Sequence, residues 1–235
     1  YKSKKISLSN VKWIKADLTK PAITKRITKN IDIVIQAAAT TSGSKDIINR
    51  PYVHVTDNAV MNSHLLRSAF ENKIKHFIFF SCTVMYRSSE KGIRENDFNP
   101  SKEIYPKYYG VANTKLYIEK MCEFFSKISD TKFTCIRHSN IYGQFDKFDL
   151  EKSHFFGATV NKVINSKKEI VIWGDGQEKR DLLFIDDLVN FVKICIKNQK
   201  KNFRIYNCGY GKAFKVKEII SKIIKLSGKF LLVRN

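Results

Sequence analysis

Glycine is nearly absent from the N-terminal part of the chain, where Gly43 is the only glycine before Gly92. Parallel sheets that bind dinucleotides open with a strand, a glycine-rich turn and a helix N-terminus, because backbone N–H groups must approach the pyrophosphate closely. No such turn is present in this sequence. We therefore expect that the chain as given does not bind a dinucleotide tightly.

Paired cysteines and long apolar runs are missing as well. The five cysteines include no C-x-x-C pair, which argues against a zinc site or a disulfide framework and favours a reducing compartment. No apolar run approaches the roughly 18 residues of a membrane helix. The N-terminal segment YKSKKISLSN also lacks the apolar region of a signal peptide. We expect a cytoplasmic protein without a membrane partner.

A metal site is not predicted. Asp146 and Asp149 lack a third ligand at a suitable spacing. Asp186 and Asp187 precede an apolar helical segment, and the N-cap of that helix explains them better than a metal does.

Positive charge is in large excess, with 43 Lys and Arg against 22 Asp and Glu, for a net charge of +21. Such a balance favours an anionic partner, either a nucleic acid, a membrane surface or a phosphorylated small molecule. The basic residues are scattered, and the sequence contains no RNA-binding signature or arginine-rich arm. We expect no nucleic-acid partner, although steeply salt-dependent DNA or RNA binding would contradict this expectation.

Short β-branched apolar segments alternate with segments of helical period. The clearest helix is 114–128, whose apolar residues recur at i, i+3, i+4 and i+7 from Ile118. This alternation predicts an α/β fold with a doubly wound parallel sheet. The predicted strands are 11–16, 31–37 (buried), 75–81, 133–137, 169–173 and 204–207. The predicted helices are 59–71, 114–128, 155–164, 186–197 and 216–227, the last ending at Gly228 as a C-cap.

Several short motifs follow one another in order along the chain. They are Asp17-Leu18, Ala37-Ala38-Ala39, Asn58, FSCTVMY (80–86), Tyr109 with Lys115, RHSNIYG (137–143) and WGDGQEKRDLLFIDD (173–187). Together they resemble the extended short-chain dehydrogenase/reductases, the NAD(P)-dependent nucleotide-sugar epimerases and dehydratases. The resemblance covers 11–228 and implies a Rossmann-type sheet, truncated at its N-terminal end, with a small C-terminal substrate-binding lobe. Residues 1–145 would form the truncated dinucleotide-binding domain. Residues 146–235 would form the lobe, interleaved with returning sheet elements at about 181–208.

The resemblance also implies NADP or NAD as cofactor, a nucleotide sugar as substrate and a homodimer. It assigns catalytic roles to Cys82, Thr83, Tyr109, Lys115 and His154. It assigns cofactor contacts to Asp17, Leu18, Ala37, Ala38, Ala39, Asn58, Lys115, His138 and Asn140, and substrate contacts to Asn140, Lys162, Trp173 and Arg180.

Residues 140–162 are most similar to the GDP-L-fucose synthases, which epimerise a GDP-4-keto-6-deoxymannose and then reduce its ketone with NADPH. By this similarity, His154 exchanges a proton next to the ketone, while Lys162 and Arg180 bind the diphosphate end. The chain departs from the family pattern at three positions. Cys82 replaces a Ser or Thr hydroxyl, Val84 replaces the acid of the second epimerisation, and Val111 replaces the tyrosine four residues before the lysine.

The missing tyrosine is the sharpest of these departures. A helix turns about 100° per residue, so a Tyr–Lys pair that shares a proton wants a spacing of four. Tyr109 lies six positions before Lys115, roughly 240° away on a regular helix. We expect Tyr109 to act as the acid only if the helix start is irregular, which Gly110 would permit. Otherwise Tyr108 and Tyr109 simply pack there.

Four of the other site residues have a plain structural alternative. Cys82 can be buried core filler, and Lys115 can be a surface residue of an amphipathic helix. His154 can be a solvated loop residue, and Arg180 can pair with Asp181. At the level of function, the leading hypothesis is an enzyme of the GDP-L-fucose synthase type. The alternatives are a simple 4-epimerase on another nucleotide sugar and a non-catalytic nucleotide-binding protein; a 4,6-dehydratase is disfavoured because Thr83-Val84 lacks an acid pair.

Overall fold

The computed structural model describes residues 9–40, 49–50, 52–150 and 153–234, and its strands and helices alternate along the chain. The α-helices are α1 (Pro21–Ile27), α2 (Tyr52–Glu71), α3 (Pro100–Glu103), α4 (Tyr109–Lys127), α5 (Phe155–Asn165), α6 (Ile185–Asn198) and α7 (Val216–Ser227). The strands are β1 (Ile33–Gln36), β2 (His76–Cys82), β3 (Lys132–His138), β4 (Asn140–Tyr142), β5 (Glu169–Val171), β6 (Lys179–Phe184), β7 (Phe203–Cys208), β8 (Ala213–Lys215) and β9 (Leu232–Arg234).

Four of these strands form a parallel sheet in the order β1-β2-β3-β7. Side chains alternate between the two faces of a strand, and each face of β2 and β3 is covered by helices. Phe77, Phe79, Phe133 and Cys135 face α2 and α4 in one core cluster. Ile78 and Ile136 face α6 and β6 in a second cluster. The predicted doubly wound α/β fold is confirmed.

The remaining strands form two smaller sheets. Strand β4 pairs with β6 in parallel, β6 pairs with β8 in antiparallel, and β5 pairs with β9 in parallel. A third core cluster, around the buried Val163, Ile170, Val216 and Ile220, holds α5, β5 and α7 together. This cluster is separate from the two that cover the main sheet, so these elements form a small apolar unit of their own.

The carboxylate of Asp181, in β6, joins three segments of the chain. It accepts hydrogen bonds from the Ser139 hydroxyl at 2.6 Å, from Tyr210 N at 2.9 Å and from Gly211 N at 2.8 Å. Ser139 lies between β3 and β4, and the two backbone donors follow β7. One side chain thus connects the main sheet to the smaller three-stranded sheet.

Two strand predictions are wrong. Residues 11–16 are irregular, because a strand needs a hydrogen-bonded neighbour and no described strand lies beyond β1. The predicted buried strand 31–37 is shorter, and as the edge strand β1 it leaves Ile33 and Ile35 38% and 49% exposed. The other predicted strands are found with shifted ends.

The helix predictions differ mainly at their starts. Helices α2 and α4 begin earlier than expected, at Tyr52 and Tyr109. Asp186 and Asp187 lie in the first turn of α6, whereas its N-cap is Phe184; acidic residues there favour the helix dipole. Helix α7 matches its predicted bounds, and Gly228 caps it in the left-handed conformation with φ 70°. None of the helices within the described ranges has both the length and the apolar character that a membrane span requires.

Candidate functional site

The candidate site lies at the carboxyl edge of the main sheet. Cys82, His138 and Cys208, which end β2, β3 and β7, stand side by side in register. Ligands of parallel α/β sheets bind at this edge. The sequence prediction placed Cys82 and His138 here, and the sheet register brings them next to each other.

Lys115 reaches the same edge from α4. Its Nζ donates a hydrogen bond to the carbonyl oxygen of Phe80 at 2.7 Å and lies 4.6 Å from the centroid of the Phe79 ring. Burial lowers the pKa of Lys115, and the nearby Cys82 and Glu119 oppose that shift. Lys115 is therefore not a free surface lysine: its ammonium group is directed at the end of β2.

Cys82 is half-buried beside this ammonium group. Burial raises the pKa of its thiol, while the charge of Lys115 acts in the opposite direction. The following residue, Thr83, donates its hydroxyl to the carbonyl oxygen of His138 at 3.2 Å and starts the 3-10 turn Thr83–Met85. At neutral pH the thiol is protonated, so Cys82 can offer a weak hydrogen-bond donor where the family has a hydroxyl.

The irregular helix start that Tyr109 would need is not found. Tyr109 already has αR dihedrals (φ −50°, ψ −50°), and α4 is continuous from this residue. The 3-10 turn before it ends at Tyr108. On a regular helix, six residues put Tyr109 and Lys115 on different faces, and Tyr109 is 66% exposed. The condition under which Tyr109 could act as the acid, an irregular helix start, is therefore not met in this structure; the catalytic role of Tyr109 stays a prediction.

Gly110 has a packing role instead of the predicted conformational one. A Cβ atom at this position would lie 2.9 Å from Val55 Cγ2 of α2. That distance is too short for a carbon–carbon contact, so the glycine allows α2 and α4 to approach closely near the site. The side-chain amide of Asn113, one turn later, donates to the carbonyl oxygen of Tyr109 at 2.8 Å.

The alanine turn predicted to pass under the cofactor follows β1 directly. Asn58 of α2 accepts a hydrogen bond from Thr40 N and donates to Thr40 O, both at 3.0 Å. Gln36 bonds both the N–H and the carbonyl of Ala38. These two amides fix an exposed turn of small residues, Ala37, Ala38 and Ala39, at the carboxyl end of the strand.

Asp17 and Leu18 lie outside the sheet, before α1. The Asp17 carboxylate accepts hydrogen bonds from the backbone and the hydroxyl of Thr19, and these bonds lower the pKa of Asp17. Leu18 packs against the first core cluster. Asp17 thus keeps its charge in a fixed turn, which is compatible with the adenine contact that the family resemblance implies.

The two histidines predicted for the site lie near each other. Burial lowers the pKa of His138 to about 4, and the charges of Lys115 and His154 add to the effect. His154 is exposed and immediately precedes α5. Asn140, in β4, donates its amide to Asp181 O at 3.0 Å.

The predicted substrate-binding cations belong to the smaller sheets and α5. Lys162 Nζ donates to Val171 O at 3.0 Å, and Trp173, two residues further along, is 79% exposed. Arg180 is exposed and donates to its neighbour Lys179 O at 3.3 Å. The alternative of an Arg180–Asp181 pair is not what the structure shows, because the Asp181 carboxylate accepts from Ser139 and from backbone N–H groups.

A buried ion pair behind the site was missed by the sequence prediction. Arg137 binds Glu119 through two bonds, Nη2 to Oε2 at 2.6 Å and Nε to Oε1 at 3.0 Å, with both side chains at most 5% exposed. Glu119 also accepts from the Ser81 hydroxyl at 2.6 Å. Burial opposes the charge of Arg137, yet Glu119 raises the pKa of Arg137 above its ordinary value.

This ion pair extends into a longer network. Arg137 Nη1 donates to the Tyr86 hydroxyl at 2.9 Å, and that hydroxyl donates to Asn207 Oδ1 at 2.7 Å. The guanidinium also lies over the rings of Tyr86 and Phe98. The sequence signal that could have pointed to Glu119 was its spacing of four from Lys115, since this spacing puts both residues on one face of α4.

Comparison with known proteins decides the family. The model of the NAD dependent epimerase/dehydratase family matches residues 1–209. The chain belongs to this family. A GDP-L-colitose synthase of Yersinia pseudotuberculosis is 29% identical over 209 residues, which cover 85% of this chain and 68% of that protein. A GDP-L-fucose synthase of Azorhizobium caulinodans is 29% identical over 212 residues, which cover 85% of this chain and 66% of that protein.

A solved structure confirms the Rossmann-type fold of this epimerase/dehydratase family member. The GDP-mannoheptose C4 reductase MlghC of Campylobacter jejuni, determined with NADP bound, superposes with a TM-score of 0.81 at 19% identity and covers 93% of this chain and 76% of that one. The chain spans about two thirds of the length of the two synthases. Among the described residues of this family member, no cluster of three His, Cys, Asp or Glu side chains is arranged to hold a metal ion.

Proposed function

We propose that the protein is an NAD(P)-dependent nucleotide-sugar epimerase/reductase of the GDP-L-fucose synthase type, acting on a 4-keto sugar nucleotide. The observation that carries this proposal is the Lys115 ammonium group, 2.7 Å from the Phe80 carbonyl oxygen at the carboxyl edge of the sheet. Cys82, Thr83 and His138 surround the same strand end.

The residues present fit the nicotinamide half of an NAD(P) molecule. The exposed turn Ala37, Ala38 and Ala39 leaves backbone accessible at the end of β1, and Asn58 holds that turn in place. Lys115 offers a cation with further N–H donors at the end of β2. When bound, the cofactor supplies or accepts the hydride. We infer that Lys115 hydrogen-bonds its ribose and that Asp17, Leu18, His138 and Asn140 lie along its path. The cofactor would be NADP or NAD.

Around the sugar, the side chains hold and move protons. The thiol of Cys82 or the hydroxyl of Thr83 would donate a hydrogen bond to the 4-oxygen. Tyr109 would exchange a proton with that oxygen if its side chain approaches Lys115, a geometry that the regular α4 does not provide. His154, exposed at the start of α5, would exchange a proton on the carbon next to the ketone.

The diphosphate end of the substrate would meet the smaller sheets. Arg180 is exposed and its guanidinium can fork to phosphate oxygens, while Lys162 adds a second positive charge. Trp173, which lies between Lys162 and Arg180 in the sequence, presents an exposed ring, and Asn140 lies between this region and the main sheet. We propose the division into a dinucleotide-binding part, 1–145, and a substrate-binding lobe, 146–235, with returning sheet elements at about 181–208.

The direct test is NADPH oxidation by the full-length protein with GDP-4-keto-6-deoxymannose, followed by NMR of the product. A 6-deoxy sugar inverted at two carbons and reduced at C4 is the expected product. No turnover with this substrate would remove the GDP-L-fucose synthase assignment.

A simple 4-epimerase on another nucleotide sugar is favoured by one observation. Val84 occupies the place of the second epimerisation acid and is 37% exposed in the 3-10 turn that follows Cys82. Its side chain cannot carry a proton. A product inverted only at C4, without net oxidation of NADPH, would decide for this alternative.

A non-catalytic nucleotide-binding protein is favoured by a different observation. Val111 stands where the tyrosine should precede Lys115, and the regular helix does not bring Tyr109 into its place. Nucleotide binding without turnover by the wild type would support this reading. Unchanged turnover in Tyr109→Phe would show instead that another group is the acid.

We further propose a homodimer that acts in the cytoplasm. Helices α2 and α4 expose an apolar patch made of Val60, Tyr117 and Phe124, in which the Tyr117 hydroxyl lies 3.1 Å from the Ser63 hydroxyl. A second copy is the proposed cover for this patch, because exposed apolar patches mark interaction sites. Light scattering should report a dimer for the wild type and a monomer for Phe124→Glu. The free cysteines of the described residues suit a reducing compartment.

A further inference from the structure

At the candidate site, one ring nitrogen of His138 makes no hydrogen bond within the described part of the chain. His138 is the last residue of β3, between Cys82 and Cys208 in the register. Its ring packs edge-on against the Phe80 ring, with 6.2 Å between the two ring centroids. The side chain is half-buried. Family resemblance gave His138 only a general cofactor contact, whereas the hydrogen bonding of its ring defines its chemistry more closely.

The position of the imidazole proton follows from one contact. Nδ1 lies 2.8 Å from the carbonyl oxygen of Ser139. A carbonyl oxygen can only accept, so Nδ1 carries the proton. In the neutral ring Nε2 then has a free lone pair, and within the described part of the chain the hydrogen bond of His138 is made through Nδ1. The ring presents an acceptor, and no donor, through Nε2.

The surroundings keep the ring neutral. Burial lowers the pKa of His138 to about 4, the hydrogen bond to Ser139 partly offsets this, and the charges of Lys115 and His154 lower the pKa further. Lys115 comes from α4, His154 from the start of α5, and Cys82 from β2, so basic side chains and a thiol surround the ring. A base of such low pKa transfers protons poorly at neutral pH, which leaves hydrogen-bond acceptance as its role.

We propose that His138 is a specificity-determining residue whose Nε2 accepts a hydrogen bond from a hydroxyl group of the sugar of the bound nucleotide sugar. This inference rests on the proposed function of the same site. A hydroxyl group is the donor expected for Nε2 of His138, because the basic side chains Lys115 and His154 disfavour a cationic donor there. The sugar is favoured over the cofactor carboxamide because the His138 ring interacts electrostatically with His154, the residue proposed to exchange a proton on the sugar.

The first test needs no turnover. Imidazole nitrogen NMR of the full-length protein at neutral pH should show His138 as a neutral ring protonated at Nδ1, and addition of a sugar nucleotide should shift the Nε2 resonance. A ring protonated at Nε2, or a charged ring, would overturn the proposal.

The second test separates the two ring nitrogens. His138→Asn keeps a donor near Nδ1 and removes the acceptor, while His138→Gln returns an amide oxygen near Nε2. We expect His138→Asn to lower kcat/KM by about 10- to 100-fold, mostly through KM for the sugar nucleotide, because a bound hydroxyl loses its partner. His138→Gln should recover part of that loss. His64→Gln, in the middle of α2, is the matched control and should leave kcat/KM unchanged.

The possible outcomes are distinct. Equal kcat/KM in wild type and His138→Asn overturns the role of His138 and leaves the proposed function standing. A rise in KM for NADPH alone assigns the acceptor to the cofactor carboxamide and overturns the sugar contact. If the wild type turns over no nucleotide sugar, the proposed function fails. Calorimetry with GDP-mannose then decides, since equal affinity or no binding in both proteins overturns the inference.

Discussion

Two histidines on the same face of the main sheet, one at each end, differ in which ring nitrogen carries the proton and in how exposed the ring is. His76 begins β2 at the amino edge, and His138 ends β3 at the carboxyl edge. Burial lowers the pKa of both to about 4. At the amino edge, Nε2 of His76 is 2.7 Å from the Thr134 hydroxyl, which donates to Gln199 Oε1 at 2.5 Å.

His76 carries its proton on Nε2, whereas His138 carries its proton on Nδ1. Gln199 Nε2 already donates to the carbonyl oxygens of Phe133 and Lys201, so its Oε1 is an acceptor. The Thr134 hydroxyl therefore donates its proton to Gln199 Oε1. Nε2 of His76 must then be the donor. A depressed pKa alone does not separate a structural histidine from a site histidine. His76 is 4% exposed at the amino edge, whereas His138 is half-buried at the carboxyl edge, where parallel sheets bind their ligands.

The largest expected effect tests how firmly the carboxyl edge is built. Glu119→Ala leaves the Arg137 guanidinium buried without its partner, so the free energy of unfolding should fall by roughly 3–5 kcal/mol in urea denaturation. Glu123→Ala, one turn later on α4, removes exposed ion pairs with Lys120 and Lys127 and should cost at most about 1 kcal/mol. Similar losses in the two variants would show that the buried pair is not special.

The next effect concerns activity at that edge. Lys115→Met should lower turnover of the full-length protein by at least about 100-fold, because the ammonium group is lost from the site. Stability should change little, since a methionine suits the partly buried position. Lys120→Met, exposed on the same helix, is the control for activity. Full activity in Lys115→Met would remove Lys115 from the catalytic group.

A pH titration of stability tests the amino edge. The unfolded chain binds a proton on His76 near its ordinary pKa of 6.5, whereas the folded protein resists protonation until about pH 4. Stability contributed by the neutral ring is thus complete above pH 6.5 and is lost as the pH falls toward 4; the loss down to about pH 5 amounts to about 2 kcal/mol. His76→Gln should show a shallower pH dependence in this window. The same slope in both proteins would contradict the buried, neutral His76.

The smallest effect tests the approach of the two helices near the site. Gly110→Ala puts a Cβ against Val55 Cγ2, and the strain should outweigh the gain in helix propensity by about 1 kcal/mol. Val55→Ala in the same chain should relieve the strain, so a double-mutant cycle should give a favourable coupling energy. Additive effects would argue against the contact.

The sequence predicted the fold class and its longer elements more reliably than the short strands and the chemistry at the sheet edge. Helix α7 was predicted to the residue because Gly228 has to adopt φ 70° at its end. Residues 11–16 were wrongly predicted to form a strand, because an alternation of apolar residues does not show whether a neighbouring strand is available for pairing. The three-residue strands β4, β8 and β9 were missed because so few residues give no periodic signal.

At the site, the motifs named most of the residues that gather at the carboxyl edge, such as Cys82, Lys115 and His138. The contacts that give them their chemistry lie far apart in the sequence. Lys115 meets a carbonyl 35 positions away, and Arg137 meets a carboxylate 18 positions away. Such pairs are created by the packing of α4 against β2 and β3, which no local pattern encodes.

The three hydrogen bonds at the Asp181 carboxylate have a practical consequence for protein engineering. Transplanting the smaller sheets onto a different relative would cut this carboxylate from Ser139 or from the backbone at Tyr210 and Gly211. A chimera with junctions inside 139–211 would take some of its protein donors away from the half-buried Asp181 carboxylate and would loosen the link between the two sheets. Exchanging that whole stretch as one cassette keeps all its donors, and recombinants designed this way should fold where finer swaps do not.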